Sequence, residues 1–450
     1  MKVVIMAGGR GTRISSIAPD IPKPMLKIDG IPVLEHEIEC LRRQGLTDLI
    51  ITVSYLGTVI MDYFGDGSGI SPVRGTPFGV NITYYKEEQP LGNAGALFKL
   101  RKQLGTEPFF LLNADVIFDV DFNKMSAFHY ARQKRNGERM LATLYTHPNC
   151  HPYDSGLIIA DQNGVVMKWL TKEEEKPQYY KNCVNAGIHI VDPAVLDRLH
   201  INCDKLGMKD EDGKILKVDL DRHLLKPLAG TGKMLCYQSS EYVKDMGTPD
   251  RFQMVEKDFK LGRIKEKNLS NKQKAVFLDR DGTINVYKGF LKDIKDFELL
   301  PGVSQAIKKI NESGYLCIVI TNQPVIARGE VTYDQLEEIH KKMETLLGLE
   351  GAYIDKLYFC PHHPDKGFEG EIFELKVDCN CRKPKPGMLL KAAEEFNINL
   401  EESYMIGDGE SDIKAGKRAG CKTVLIGYEH KIYGQDLQVE SLRQFVDNYL

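Results

Sequence analysis

The chain has 450 residues, more than the ~250–300 at which a single hydrophobic core stops growing, and this length predicts two or three domains. Its 60 Lys and Arg residues nearly balance 63 Asp and Glu residues, and a net charge of −3 argues against a nucleic-acid-binding protein. With 42% hydrophobic and 27% charged residues the chain is of ordinary globular composition, and its apolar runs are far shorter than the ~20 residues of a membrane span.

The first predicted strand, Lys2 to Met6, runs directly into a glycine-rich segment, Ala7 to Arg13. Because no apolar signal region with a cleavage site is present, we expect a cytoplasmic protein without a membrane anchor. Glycines let the backbone approach a ligand closely, and their N–H groups can point at phosphate oxygens. The segment is not a Walker A loop, because no Gly-Lys-Ser/Thr follows it, and it is not a dinucleotide fingerprint, because Ile14 stands at the third glycine position. A tight strand-to-loop turn is the alternative interpretation.

Lys23 lies between two prolines, and such a stiff extended segment leaves the lysine little local freedom. An ammonium group held near a phosphate-binding loop can stabilise the charge that develops during phosphoryl transfer. The pair of segments therefore indicates a phosphate-handling site at the end of the first strand.

These segments resemble the signature of the sugar-1-phosphate nucleotidylyltransferases, and the resemblance extends over about the first 250 residues. It implies a Rossmann-like, GT-A-like sheet and Mg²⁺ held by Asp115 and Asp245, with Arg13 and Lys23 as catalytic cations. It implies nucleotide and sugar-phosphate contacts at Gly8, Gly9, Gly11, Thr12, Gln89, Gly92, Asn113, Gly156, Glu175, Lys176 and Asn185. The chain departs from the family pattern at Ile14 to Ile17, which follow Arg13.

The stretch Lys257 to Lys274 is rich in charge, with seven positive and two negative residues in eighteen, and has few large apolar side chains. A solvated helix end followed by a linker is favoured over a nucleic-acid site. We therefore predict a nucleotidyltransferase domain over 1–256, a linker over 257–272 and a second domain over 273–450.

The second domain begins with an apolar predicted strand, Ala275 to Leu278, that delivers two carboxylates, Asp279 and Asp281. Alternation along an extended chain aims both to one side, where one can attack phosphorus and the other can transfer protons. An Asx turn is the alternative for an isolated Asp-x-Asp. Here, however, two further predicted strands end in polar residues, which are Thr321 to Gln323 and Asp408 with Asp412.

This set resembles the haloacid dehalogenase (HAD) phosphatases, which implies a second α/β domain with a HAD-like Rossmannoid sheet. The resemblance makes Asp279 the nucleophile and Asp281 the acid/base. It places Mg²⁺ on Asp279, Asp281 and Asp408, and the phosphoryl group on Thr321 and Lys383.

Three cysteines and a histidine lie close in the sequence, as Cys360, His362, Cys379 and Cys381. Three thiolates and one imidazole make a closed tetrahedral zinc set, and four protein ligands favour a structural role. His363 is a competing ligand, and free thiols in a loop are the alternative. Arg382 and Lys383 follow directly, so the zinc loop would position cations at the substrate.

The zinc loop and the neighbouring motifs resemble the group of D-glycero-D-manno-heptose 1,7-bisphosphate 7-phosphatases and histidinol phosphatases. This resemblance implies substrate contacts at Arg280, Tyr287, Lys288, Gly289, Phe290, Asn322, Gln323, Arg328 and Arg382. Pro324 and Val325 depart from the small residues that are usual there, and proline removes one backbone donor.

Together the two resemblances imply a bifunctional enzyme of the route to GDP-D-glycero-α-D-manno-heptose, a precursor of bacterial surface glycans. The C-terminal domain would remove the 7-phosphate of heptose 1,7-bisphosphate, and the N-terminal domain would join the resulting 1-phosphate to GMP from GTP. Another sugar or base (UTP, CTP or dTTP) and a non-catalytic role for one domain are the alternatives. No nucleic-acid or membrane partner is expected, and the sequence indicates no oligomeric state.

Overall fold

The computed structural model describes residues 1–9, 21–54, 56–89, 91–199, 206–208, 216–428 and 431–450. The chain divides into two compact units. The first unit comprises Met1–Thr146, Ile158–Trp169 and Asn185–Asn268, and the second comprises His147–Leu157, Leu170–Val184 and Leu269–Leu450.

Up to residue 268 the chain alternates strands with helices. The strands are β1 (Val3–Met6), β2 (Lys27–Ile28), β3 (Ile31–Pro32), β4 (Asp48–Val53), β5 (Asn81–Lys86), β6 (Phe109–Asn113), β7 (Val116–Asp119), β8 (Ala142–His147), β9 (Leu157–Ala160), β10 (Val166–Leu170), β11 (Val184–Val191), β12 (Met234–Gln238) and β13 (Tyr242–Asp245). The helices are α1 (Val33–Arg43), α2 (Gly57–Phe64), α3 (Gly95–Lys99), α4 (Arg101–Leu104), α5 (Phe122–Asn136), α6 (Ala194–Asp197), α7 (Pro249–Lys260) and α8 (Arg263–Glu266).

The main sheet of the first unit is mixed, with β1 at its centre. β1 pairs in parallel with β4 and β6, β4 pairs in parallel with β5, and β6 is antiparallel to β11. β1 and β6 consist of buried apolar residues except at their last positions, Met6 and Asn113, which are partly exposed, and such strands are typical of a sheet covered on both faces. This register sets Met6 beside Asn113, so the loop after β1 begins next to the loop after β6. A separate antiparallel ribbon joins β7 to β13.

The second unit contains one parallel sheet in the order β16-β15-β14-β17-β18-β19. Its strands are β14 (Ala275–Leu278), β15 (Leu316–Asn322), β16 (Lys356–Cys360), β17 (Tyr404–Gly407), β18 (Lys422–Ile426) and β19 (Leu437–Val439). Its helices are α9 (Val303–Glu312), α10 (Tyr333–Leu349), α11 (Gly387–Phe396), α12 (Glu410–Ala419) and α13 (Leu442–Tyr449).

Strand β14 shows how the second sheet is covered on both faces. Val276 and Leu278 pack into a cluster with α9, α10 and α13, whereas Ala275 and Phe277 pack into a cluster with α11 and α12. The parallel strands direct their carboxyl ends to one edge of the sheet, where ligands bind in folds of this kind. The predicted site residues follow β14, β15, β16 and β17.

The unit boundaries differ from the predicted domains in two places. The predicted linker over 257–272 contains the end of α7 and all of α8, and the second unit resumes at Leu269. Segments 147–157 and 170–184, predicted within the first domain, group with the second unit. No helix of the described residues is long and apolar enough to cross a membrane.

Candidate active sites

The glycine-rich loop of the first unit is described as far as Gly9. Ala7 donates its N–H to the carbonyl of Thr52 at 2.9 Å, which extends the parallel pairing of β1, and the backbone continues into Gly8 and Gly9. Gly11, Thr12 and Arg13 lie outside the described residues, so their predicted contacts stay predictions.

Lys23 and Asp115 form an ion pair. Lys23 begins a short 3₁₀ helix between Pro22 and Pro24, and its Nζ lies 3.2 Å from Asp115 Oδ2. The lysine side chain is 12% exposed and the aspartate side chain 36%, so one side of the pair remains open to solvent. The geometry joins the predicted catalytic cation to a predicted metal ligand.

Asp115 and Asp245 lie on neighbouring backbones. Asp245 stands opposite Val116 in the β7–β13 ribbon, and Met246 donates its N–H to the Asp115 carbonyl at 3.1 Å. Arg251 Nη1 holds both carboxylate oxygens of Asp245, at 2.7 and 2.8 Å. Carboxylate oxygens are the ligands that Mg²⁺ prefers, and this donor set fits the ion. A metal ion bound by Asp115 and Asp245 would replace Lys23 and Arg251 as the positive charge next to these carboxylates.

The sequence did not indicate a role for Glu37. This residue of α1 is fully buried, and both carboxylate oxygens lack a hydrogen-bond partner among the described residues. Burial, followed by the negative charge of Asp115, raises the pKa of Glu37 well above its ordinary value. The physical consequence is that ionisation of this carboxyl group is disfavoured.

Asn113, Asn185 and Gly187 come together at the end of β6. A Cβ at Gly187, whose φ is +76°, would lie 2.6 Å from Asn113 Nδ2, so a side chain at this position would displace the amide. Asn185 Oδ1 accepts hydrogen bonds from the Gly187 N–H at 3.3 Å and from His189 Nε2 at 3.0 Å. Gly92 is equally constrained, because its Cβ would lie 2.3 Å from the Val218 carbonyl oxygen. Gln89 is exposed.

Gly156, Glu175 and Lys176 belong to the second unit. Lys176 Nζ donates to the Tyr153 carbonyl at 2.9 Å, and Glu175 is exposed. The predicted sugar-phosphate segment is thus folded together with the C-terminal part of the chain. Its predicted contacts stay predictions.

In the second unit, three carboxylates meet around one lysine. The carboxylate oxygens of Asp279, Asp408 and Asp412 lie within 4.8 Å of one another. Lys383 Nζ lies 2.7 Å from Asp279 Oδ1 and 2.6 Å from Asp412 Oδ1. Burial raises the pKa of Asp279 to about 7 against the opposing charge of Lys383, and burial raises that of Asp408 to about 6. Because these carboxyl groups resist ionisation when uncompensated, a divalent cation fits the cluster.

Asp412 was noted in the sequence but not assigned to the metal. It lies in the first turn of α12, where its Oδ2 accepts the Gly409 N–H at 3.1 Å. The loop after β14 approaches this cluster so closely that a Cβ at Gly282, whose φ is +84°, would lie 2.1 Å from Asp408 Oδ2.

Asp281 is held outside the acidic cluster by neighbouring side chains. Arg280 Nη2 donates to its two oxygens at 3.0 and 2.9 Å, and Gln323 Nε2 and Asn285 Nδ2 donate at 2.9 and 3.1 Å. Gln323 also contacts Thr321 Oγ1 at 2.8 Å. The network fixes the carboxylate of Asp281, the residue that was predicted to transfer protons. The further prediction that Asp281 binds magnesium stays a prediction.

Two predicted substrate-contact residues have hydrogen-bond partners within the protein, and their contacts with substrate stay predictions. The side chain of Arg280 is fully buried, and its guanidinium contacts Asp281, Gln323 and His340. Asn322 donates to the Lys383 carbonyl and accepts the Lys383 N–H, both at 3.0 Å. Both side chains therefore position other site residues.

Arg328 lies between two aromatic rings. Its guanidinium carbon is 4.0 Å from the centre of the Phe290 ring and 4.3 Å from that of Phe368. Phe290 is 46% exposed and the preceding Tyr287 is 66% exposed, so this cluster with Lys288 and Gly289 is open to solvent. Lys376 Nζ lies 4.4 Å from the Phe368 ring centre, and no sequence signal pointed to Phe368 or Lys376.

The predicted zinc ligands form a compact group at the end of β16. The sulfur atoms of Cys360, Cys379 and Cys381 lie 3.2–3.4 Å apart, and His362 Nδ1 is 3.3 Å from Cys381 Sγ. The four ligand atoms all lie within 4.8 Å of one another. His363, the competing ligand, is not part of this group, and its Nδ1 accepts the Asp365 N–H at 3.2 Å. Arg382 Nη1 donates to the His362 carbonyl at 3.2 Å. The donor set fits a tetrahedral zinc ion.

Two family models and several individual proteins are similar to this chain. The family model described as nucleotidyl transferase matches residues 2–259, and that described as haloacid dehalogenase-like hydrolase matches residues 226–420. The chain is 42% identical over 152 residues to a D-glycero-beta-D-manno-heptose-1,7-bisphosphate 7-phosphatase of Yersinia pestis, covering 34% of this chain and 79% of that protein. It is 43% identical over 155 residues to the Pasteurella multocida protein of the same name, covering 34% of this chain and 82% of that protein. Among solved structures, HddC from Yersinia pseudotuberculosis is 23% identical with a TM-score of 0.44, covering 57% of this chain and 99% of that one.

Proposed function

This chain belongs to the nucleotidyl transferase family and, through its C-terminal part, to the haloacid dehalogenase-like phosphatases, and on that premise we propose that it makes a sugar nucleotide in two steps. The phosphatase removes the 7-phosphate of D-glycero-α-D-manno-heptose 1,7-bisphosphate. The nucleotidyltransferase then transfers GMP from GTP to the heptose 1-phosphate, giving GDP-heptose and pyrophosphate. The two activities are coupled because the product of the first is the acceptor of the second.

The observation that carries the proposal is the acidic cluster around Lys383. Asp279, Asp408 and Asp412 surround a buried cation, and Asp281 is fixed nearby, in a part of the chain that is 42% identical to a heptose bisphosphate phosphatase. A carboxylate nucleophile, a proton donor and a metal-binding set are what hydrolysis of a phosphomonoester requires.

In the phosphatase reaction, a carboxylate oxygen of Asp279 attacks phosphorus while the C7 oxygen leaves with a proton from Asp281. Water then attacks the aspartyl phosphate, gives its proton to Asp281 and releases inorganic phosphate, which restores Asp279. Lys383, 2.7 Å from Asp279, favours the ionised nucleophile. Magnesium held by Asp279, Asp408 and Asp412, with Asp281 as a further predicted ligand, would supply positive charge to the phosphoryl oxygens.

In nucleotidyl transfer, an oxygen of the sugar 1-phosphate attacks the α-phosphorus of the triphosphate and pyrophosphate leaves. No general base is needed because the acceptor phosphate is already ionised at neutral pH. Lys23 would stabilise charge on the phosphoryl oxygens, and Asp115 and Asp245 would hold magnesium, which supplies further positive charge. Arg13 completes the predicted set.

The choice of GTP rests on the coupling to heptose.

The described cysteines form no disulfide, and the substrates are phosphorylated metabolites, which together support a cytoplasmic location.

The decisive experiment supplies the full chain with the α or the β anomer of heptose 1,7-bisphosphate and one of GTP, UTP, CTP or dTTP. We expect phosphorus NMR to show loss of the C7 phosphate with the anomeric phosphate retained, and pyrophosphate release with GTP. The curated relatives are named for the β anomer, so a preference for β would correct the anomer alone. Loss of the anomeric phosphate would reject the coupling of the two steps, and pyrophosphate release with another triphosphate would reject GTP.

We also propose that Cys360, His362, Cys379 and Cys381 bind a structural zinc ion. Four protein ligands leave no open coordination position, and bound zinc stabilises the folded loop that carries its ligands. The loop continues directly into Arg382 and Lys383, so zinc would order the segment that delivers Lys383 to Asp279.

Replacement of Cys379 by serine is expected to lower the zinc content from about one ion per chain to a small fraction of that, because zinc favours thiolate ligands. The matched control is Cys150→Ser, since Cys150 lies outside the cluster. Elemental analysis of the purified proteins measures the difference. Equal zinc contents in the two variants, or none in the unaltered chain, would refute the site.

A further inference from the structure

Segment 170–184 contacts one face of helix α10. Glu337, His340 and Glu344 are spaced three and four residues apart and therefore share a face of the helix, and Thr345 follows Glu344 at the edge of that face. Ile339, Met343 and Leu347 lie on the adjoining face and pack into the core of the second unit. Both the segment and the helix belong to this unit, although the nucleotidyl transferase match includes the segment.

Four polar contacts join the segment to the helix. Thr345 Oγ1 accepts the Tyr180 N–H at 2.8 Å and contacts the Tyr180 carbonyl at 3.1 Å, and Glu344 Oε2 accepts the Asn182 N–H at 2.8 Å. Lys181 Nζ lies 2.7 Å from Glu337 Oε1. The bonds to Thr345 are buried, so their loss would leave backbone groups without partners.

Segment 147–157 reaches the same helix near its end. A Cβ at Gly348 would lie 2.6 Å from Pro152 Cγ, which shows that the proline ring packs directly on the helix backbone. Both segments therefore pack on α10.

His340 connects this face to the phosphatase site. Its Nε2 lies 3.2 Å from Arg280 Nη1, and because a guanidinium can only donate, the imidazole is the acceptor and is neutral. Burial, with the charges of Arg280 and Lys181, lowers the pKa of His340 well below its ordinary value. Arg280 in turn holds both oxygens of Asp281, at 3.0 and 2.9 Å.

We propose that segment 170–184 is a positioning element of the phosphatase: by fixing α10 it holds His340 against Arg280 and thereby orients the carboxylate of Asp281. His340 is accordingly a positioning residue that never touches the substrate. This inference rests on the proposed phosphatase function, in which Asp281 transfers protons. It makes the phosphatase dependent on residues from the first half of the chain.

The test measures phosphate release from heptose 1,7-bisphosphate by full-length variants. Thr345→Val keeps the side-chain volume and removes both contacts with Tyr180, and His340→Leu removes the acceptor of Arg280. We expect kcat to fall about tenfold in each with KM within about twofold, because small misplacements of catalytic groups act on kcat. His340→Gln, which retains an acceptor oxygen, is expected to recover most of the loss.

A matched pair on the same helix provides the control. Glu337→Gln weakens the contact with Lys181, whereas Glu338→Gln alters a carboxylate that pairs with Lys341 within the helix. We expect a smaller fall in kcat for Glu337→Gln, about threefold or less because the pair is partly exposed, and none for Glu338→Gln. If Thr345→Val fails to fold, His340→Leu against His340→Gln and Glu337→Gln against Glu338→Gln decide the outcome.

The two proposals fail in different ways. Wild-type kcat in folded Thr345→Val and His340→Leu variants would overturn the positioning role and leave the phosphatase function intact. Absence of phosphate release from the unaltered chain would reject the proposed function, and the positioning role with it.

Discussion

Asp279→Asn is expected to abolish phosphate release while pyrophosphate release from the nucleotidyltransferase is unchanged. The amide cannot form the aspartyl phosphate, and loss of a catalytic nucleophile costs on the order of 10⁴-fold or more in kcat. The substitution also removes the charge that faces Lys383 at 2.7 Å. Phosphate release is measured from heptose 1,7-bisphosphate, and pyrophosphate release from supplied heptose 1-phosphate with GTP. Both are measured on the same preparation, so the second activity reports whether the protein is folded.

The result shows whether Asp279 is the nucleophile and whether the two sites act independently. Residual activity within about tenfold of the unaltered enzyme would show that Asp279 is not the nucleophile, since a group with another role is replaced at lower cost. Loss of both activities would show that the two sites are not independent.

Asp115→Asn is expected to give the opposite pattern, with pyrophosphate release reduced by about 10²–10³-fold and phosphate release unchanged. The amide is a poor Mg²⁺ ligand and no longer attracts Lys23, whose Nζ lies 3.2 Å from the carboxylate. Because the acceptor must first be made by the phosphatase, the assay should start from heptose 1-phosphate and GTP.

The control for Asp115→Asn is Asp62→Asn, which makes the same chemical change on an exposed position of α2. We expect wild-type rates from this variant. A wild-type rate of pyrophosphate release from Asp115→Asn would refute the proposed metal site, and Asp245 would then need another role.

The residues that sequence alone predicted best are those at strand ends. β14, β15 and β17 are short buried runs, and a parallel sheet brings their carboxyl ends together, so Asp279, Thr321 and Asp408 could be grouped from their order in the chain. The cysteine group could equally be predicted from the sequence, because its ligands lie close together in the chain and because three thiolates with one imidazole are typical zinc ligands.

Residues that act through tertiary contacts carry no such signal. Phe368 stacks on Arg328 from a separate loop, and the buried carboxyl group of Glu37 lies in an otherwise ordinary amphipathic helix. Arg280 was predicted as a substrate contact from its motif, and the sequence did not indicate that its guanidinium is buried and contacts Asp281. Periodicity also could not predict that residues 170–184 fold with a helix more than 150 positions later, because only the tertiary structure brings Tyr180 to Thr345.

The close approach of Gly282 to Asp408 has an evolutionary consequence. Only a hydrogen atom fits where a methyl group would lie 2.1 Å from the carboxylate, so even alanine would displace the Asp408 side chain. A lineage could thus lose one of its two activities through a single codon change and retain the other. Descendants of this protein with a different residue at position 282 should retain only nucleotidyl transfer. They should obtain heptose 1-phosphate from a separate phosphatase.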